Sequence, residues 1–154
     1  MKPIYAISIV LSLLLSGLYA GLCVGIALNP GLTTMSPNAY VSYWHAVNRD
    51  YGRFMPPLFV GGILTSTVVA ALSFKKDTIV LVASIAAAAT MLAGIVLTIA
   101  TLVPLNVLAD SWAGSIPDSW SSLRDEWRHY HLIRTVIAAA GFIAAAIVPA
   151  AQLR

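Results

Sequence analysis

Four long apolar runs constrain this chain more than any other feature. They cover residues 4–28, 56–74, 78–103 and 132–151. A helix of about 20 apolar residues crosses the hydrocarbon of a bilayer. No water is present there to satisfy backbone groups, so runs of this length must be helical. The chain has 154 residues, so four spans leave two polar stretches of roughly 25 residues each and no room for a second domain. Hydrophobic residues make up 59% and charged residues 10%. A soluble domain carries about 25% charge, so neither a soluble domain nor a disordered chain fits. The expected fold is all-α: one integral membrane domain over residues 1–154, a four-helix bundle running up-down-up-down.

The breaks between runs are well marked. Asn29-Pro30-Gly31 ends the first, Lys75-Lys76-Asp77 makes a very short turn, and Pro104-Leu105-Asn106 is expected to end the third. The pattern of spans and loops is weakly repetitive, with no sequence repeat behind it. The first run, about 25 residues, exceeds the roughly 7–15 of a signal-peptide core and is expected to remain as a span. The net charge of +3 reflects orientation rather than a nucleic-acid partner. Lys2, Lys75, Lys76 and Arg154 gather at one end of the bundle with Asp77. Arg49, Arg53, Arg124, Arg128 and Arg134 gather at the other, among five acidic residues. The positive-inside rule counts Lys and Arg, and the compact Lys75-Lys76 turn points to both termini in the cytoplasm. The single cysteine, Cys23, allows neither an intramolecular disulfide nor a multi-cysteine zinc site.

Small residues suggest how the helices pack. Gly17, Gly21 and Gly25 recur every four residues, a face another backbone can approach. Ala86–Ala89, Ala93 and Gly94 in the third run, and Ala138–Gly141 and Ala144–Ala146 in the fourth, extend the same theme.

An up-down-up-down bundle puts both long loops on one membrane face, so their residues can meet. In the first loop Ser36-Pro37 reads as an N-cap with proline at the first helical position. The helix that follows is amphipathic: Tyr40, Trp44, Val47 and Tyr51 share one stripe, and His45 and Arg49 lie on an adjacent stripe beside Asn48. It is either an interfacial helix with an aromatic belt or a lid that turns His45, Asn48 and Arg49 inward. In the second loop Trp120, Arg124, Trp127, His131 and Arg134 step by four, three, four and three, so they share a helix face. The fourth helix is therefore expected to begin near Trp120, and its polar stripe to run down into the bundle. Arg134 sits in the first turn of an apolar run, where a charge either snorkels to the interface or faces the interior with a partner or ligand. His129 and His131 point in different directions on a helix and make a weak metal chelate. One histidine from each loop, His45 and His131, offers a rival haem or metal site, and a neutral histidine is also a competent proton acceptor. Asn29 and Asn106 stand where runs end, as caps of freed backbone groups or at a pocket mouth.

Several of these segments together resemble the anthrone oxygenase family. They are the Gly-rich first run ending in Asn29-Pro30, Ala46–Asp50 (AVNRD), Thr101–Asn106 (TLVPLN), and Trp127 followed by His131-Leu-Ile-Arg134-Thr135. The resemblance covers essentially the whole chain. It implies a membrane enzyme of polyketide pathways that oxidises an anthrone to an anthraquinone with O2 as co-substrate and without a bound metal or flavin. By motif it marks Asn48, Arg49, Asn106, Trp127, His131 and Arg134. The family often has asparagine where His131 stands.

The chemistry agrees with that resemblance. An anthrone carries an acidic CH2 between two aromatic rings. His131 or His45 would take its proton, and Arg134 or Arg49 would hold the oxyanion that develops. Trp44, Trp120 and Trp127 would stack on a flat substrate, with Asn48, Asn106, Asn29 and Arg124 as further binding groups. A hydrophobic aromatic substrate would arrive from the lipid bilayer. The rivals are a non-enzymatic binder or transporter, a scaffold subunit whose glycine faces bind another membrane protein, and a haem or metal protein; a homo-oligomer remains open.

Overall fold

The computed structural model describes residues 3–112 and 114–153. Lys2 and Arg154, used above for orientation, lie outside them. The described residues are helical with no strand: α1 (Pro3–Ala27), α2 (Gly31–Thr34), α3 (Pro37–Ser73), α4 (Thr78–Leu97), a π-helical turn (Thr98–Leu102), α5 (Val103–Asp110) and α6 (Trp120–Ala151). Four stretches are long and apolar enough to cross a membrane: Pro3–Thr34, Pro37–Ser73, Thr78–Asp110 and Trp120–Ala151. This is an integral membrane four-helix bundle. The helices stand in a square: α1 packs on α3 and α6, and α4 packs on α3 and α6.

Two boundaries differ from expectation, each for a local reason. The amphipathic helix of the first loop is not a separate element, because α3 runs unbroken from Pro37 to Ser73 through Pro56 and Pro57. Each proline removes a hydrogen bond to the carbonyl four residues earlier and crowds that carbonyl with its ring, yet the helix continues through both, with Met55 and Phe59 on either side buried in the bundle. The third span does not end at Pro104. Proline at the second position of α5 removes an N–H that an uninterrupted α-helix would need, and the π turn takes up the mismatch: Val103 N donates to the Thr98 carbonyl five residues back. The helix then continues to Asp110. As a result, nine-residue connections (residues 28–36 and 111–119) replace the two long loops. The fourth helix does begin at Trp120, as its stripe predicts.

The glycine face of α1 does not pack as expected. Gly21 and Gly25 are exposed, with no atom near where a side chain would go, and Gly17 meets the Phe142 ring rather than a backbone. The close approaches lie elsewhere. Gly62 makes room for the Met91 side chain, Gly94 for the Tyr19 hydroxyl and Gly141 for Thr90. Ala87, Ala144 and Ala145 are buried between α4 and α6. Polar ties cross the bundle: Ser12 Oγ and Ser66 Oγ lie 2.7 Å apart, and Tyr5 Oη and Ser73 Oγ 3.0 Å apart. Such small polar pairs join helices that lipid cannot press together hydrophobically.

At the opposite end from the loops, Asp77 caps α4 by accepting from Val80 N at 3.0 Å. Two residues before it Lys75 has φ of 60°, following Phe74, the C-cap of α3. That left-handed position usually takes glycine, and a side chain there costs about 1 kcal/mol. Lys75→Gly is expected to raise stability by about 1 kcal/mol, read as a higher midpoint of thermal unfolding in detergent. A lowered midpoint would mean that the lysine side chain stabilises the turn more than its backbone strains it.

Candidate functional site

The stripe on α6 turns inward. Trp127, His131, Arg134 and Ala138 are all buried. Arg134 is 7% exposed, so it does not snorkel. Its Nη2 donates to His131 Nδ1 at 2.7 Å, and its Nη1 to Thr98 Oγ1 at 3.4 Å. Its Nε has no partner. An arginine carries five N–H donors, so two of the five are engaged. Among the described residues no carboxylate pairs with it. A buried cation without a counter-charge costs several kcal/mol.

The tautomer of His131 follows from its neighbours. Its Nε2 lies 3.0 Å from the Cys23 carbonyl, which can only accept, so Nε2 carries the proton. Nδ1 is then the bare nitrogen, and it accepts from Arg134. The ring stacks on Trp127 at 5.0 Å with 2° between planes. Both nitrogens are therefore occupied, and the ring is held by α1 and Trp127. This corrects the expectation of a free proton acceptor: His131 braces Arg134.

Asn106, one turn beyond the π turn, is fixed in the same way. Trp44 Nε1 and Trp127 Nε1 both donate to its Oδ1 at 2.9 Å. With the oxygen so engaged, its Nδ2 is presented as a donor on the other side.

These groups wall a cavity of about 470 Å³ between α3 and the α4–α5 segment. Arg134, Asn106, Asn48 and Thr98 supply its polar wall. Asn48 Nδ2 is buried without a partner. Ile26, Val47, Met55, Phe59, Ile95 and Leu102 supply apolar wall, with Tyr51 and Trp127 as aromatic faces. The polar side chains mostly offer N–H, so the cavity is chemically suited to an apolar molecule that carries a negative or strongly accepting oxygen.

Other residues proposed from sequence lie elsewhere. His45 does not meet His131. Its Nε2 is 3.0 Å from the Ala109 carbonyl and 3.5 Å from Asp110 Oδ1, beside a separate surface cleft. Among the described residues no three His, Cys, Asp or Glu side chains group as a metal site. Arg49 is exposed and pairs with Asp50 at 3.3 Å, so the inward lid holds only for Asn48. Arg124 pairs with Asp125 at 2.9 Å and lies over the Trp120 ring, away from Arg134. Trp44 is buried against Tyr40, Trp112 and Trp127, and Trp120 lines outer clefts; of the three indoles expected to stack on substrate, Trp127 alone is among the residues lining this cavity. Asn29 is a cap: its Oδ1 accepts from Gly31 N at 3.0 Å. Sequence reasoning missed Thr98, Tyr51, Phe59 and the Cys23 carbonyl. The spacing of Ser12, Ser16, Tyr19 and Cys23 on α1 was a readable sign that this face turns inward, whereas nothing in the sequence singled out Thr98.

Asn106→Leu is expected to leave two buried indole N–H groups unpaired and lower stability by about 2–3 kcal/mol. Asn106→Asp keeps the acceptor and is expected to lose much less. Thermal unfolding of both variants in detergent compares them, and equal losses would rule out the acceptor role.

No curated protein and no solved structure matches the chain. The family model for anthrone oxygenase matches residues 44–144. That segment covers most of the cavity wall, from Val47 through the π turn to Arg134. The chain belongs to the anthrone oxygenase family.

Proposed function

We propose that the protein is a membrane oxygenase that converts an activated aromatic CH2, of the anthrone type, to a ketone with O2 and without a bound cofactor. One observation carries this reading: Arg134 is a buried cation with free N–H donors and, among the described residues, no carboxylate partner, set in the wall of an apolar cavity. Such a site favours the anion of any weak acid bound against it. An anthrone that loses a CH2 proton becomes an aromatic enolate, with its charge on oxygen. Arg134, Asn48 Nδ2 and Asn106 Nδ2 supply the donors that hold it.

The bound carbanion form is electron-rich enough to give an electron to O2. Recombination at the ring carbon gives a peroxide, and loss of water leaves the ketone. Overall, CH2 and O2 become C=O and H2O, so the atoms balance. Because Arg134 lowers the pKa of the bound substrate, the demand on a side-chain base is small. This suits a His131 whose ring nitrogens are both committed, and His131 then acts by orienting Arg134. The family assignment adds independent support. In this reading the partners are lipid and a hydrophobic aromatic small molecule. The termini and the Lys75-Lys76 turn face the cytoplasm.

The test is O2 uptake and anthraquinone formation by the protein in lipid nanodiscs supplied with anthrone. One O2 is expected per ketone formed, above the spontaneous rate. Arg134→Gln is expected to reduce kcat/KM by about 10²–10³-fold, and Arg134→Lys to recover part of it. Binding of anthrone without O2 uptake would make the protein a carrier instead. Full activity in folded Arg134→Gln would overturn the reading.

A further inference from the structure

The cavity is not closed on the lipid side. Its most exposed lining residues form two short ridges. Gly52, Pro56 and Val60 follow one another at four-residue steps on α3, and Ile99 and Val103 do so across the π turn and α5. Val60 is 56% exposed and Ile99 64%. Phe54, Val96 and Val107 around them are also exposed and apolar, as a lipid-facing surface should be. Toward the loops the way is shut. Tyr40, Trp44, Trp112, Trp127 and Leu102 pack into one buried cluster there, tied by the two indole bonds to Asn106. A ligand from the aqueous side would have to break that packing, whereas one from the side meets a slot.

Gly52 is the informative residue on the rim. A glycine inside a helix costs about 0.5–1 kcal/mol relative to alanine; Gly62, Gly94 and Gly141 offset that by making room for a neighbour, whereas Gly21 and Gly25 on α1 are as open as Gly52. At Gly52 no atom lies within 4 Å of where a side chain would begin. The missing side chain relieves no packing; it leaves the lip of the slot bare.

We infer that the cavity is loaded sideways from the bilayer, through the slot between Gly52–Val60 of α3 and Ile99–Val103, by a planar polycyclic phenol that crosses the rim uncharged and becomes an anion only at Arg134. The rim residues that line the slot, Gly52, Pro56, Val60, Ile99 and Val103, are all apolar, with Arg53 exposed at the outer end, so a permanently charged or glycosylated analogue is refused along the slot before it reaches the guanidinium. The inference rests on the proposed role of Arg134, and its failure can be told apart from the failure of that role.

The protein in phosphatidylcholine vesicles is mixed with a dihydroxyanthraquinone, and binding is followed by the probe's own fluorescence. The association rate is expected to follow the probe's density in the bilayer, and so to fall when empty lipid is added to the same vesicles. Gly52→Trp and, separately, Ile99→Trp are expected to slow association and dissociation together by roughly tenfold, leaving Kd unchanged, because a narrowed passage alters both rates alike. Val82→Trp, on the exposed surface of α4, is expected to bind as the unaltered protein does, and anthraquinone sulfonate is expected not to bind. Unaltered rates in both rim variants, or binding of the sulfonate, would overturn the lateral route. A Kd unchanged by Arg134→Gln would instead overturn the role of Arg134, and failure of the unaltered protein to bind the probe would overturn both.

Discussion

An arginine buried in the bundle with no carboxylate partner among the described residues is the constraint on which the rest of this structure depends. Leaving water costs a guanidinium several kcal/mol, and a single hydroxyl and an imidazole nitrogen return only part of that. The fold accepts the deficit because neighbouring elements brace the side chain from several directions. His131 holds one amino group, its own ring anchored to the Cys23 carbonyl of α1 and stacked on Trp127. Thr98 meets the other from the π turn. A charge held this way is available to an incoming oxyanion with little reorganisation, which is the condition for electrostatic catalysis.

The irregular backbone serves the same end. An ordinary α-helix through Pro104 would lose a hydrogen bond and meet a clash. The π turn absorbs both, and π turns inside α-helices often sit at functional sites. Here it carries Thr98 to Arg134 on one side and hands over to α5 on the other, so that Asn106 comes between Trp44 and Trp127. The two indoles determine which way the Asn106 amide faces. Orientation of donors, rather than a supply of reactive groups, is what these residues contribute.

The polar stripe of α6 was legible because helical periodicity alone puts Trp127, His131 and Arg134 on one face. Asn48, Asn106 and Arg134 all line the cavity, and each had been marked by motif. Less legible was which neighbouring residues point away. His45 and Arg49 are one helical turn apart and close to Asn48 in sequence, yet they lie outside the cavity. The rotation of α3 decides this, and that rotation comes from the burial of Tyr40 and Trp44. The glycines of α1 show the same limit: spacing identifies a small face, but not whether a neighbour occupies it.

Sequence by itself determined that this chain crosses a membrane four times as helices, since only apolar runs long enough to satisfy their own backbone groups can do so. It also put an arginine in the first turn of the fourth run, but left its side chain free either to snorkel to the interface or to face the interior. Only the tertiary structure decided what surrounds that charge: that no carboxylate among the described residues pairs with it, that both nitrogens of His131 are already engaged, and that it stands in the wall of a largely apolar cavity. Those facts depend on side chains from α1, α3, the π turn and α6 converging in space, and such convergence leaves no periodic trace in any one segment.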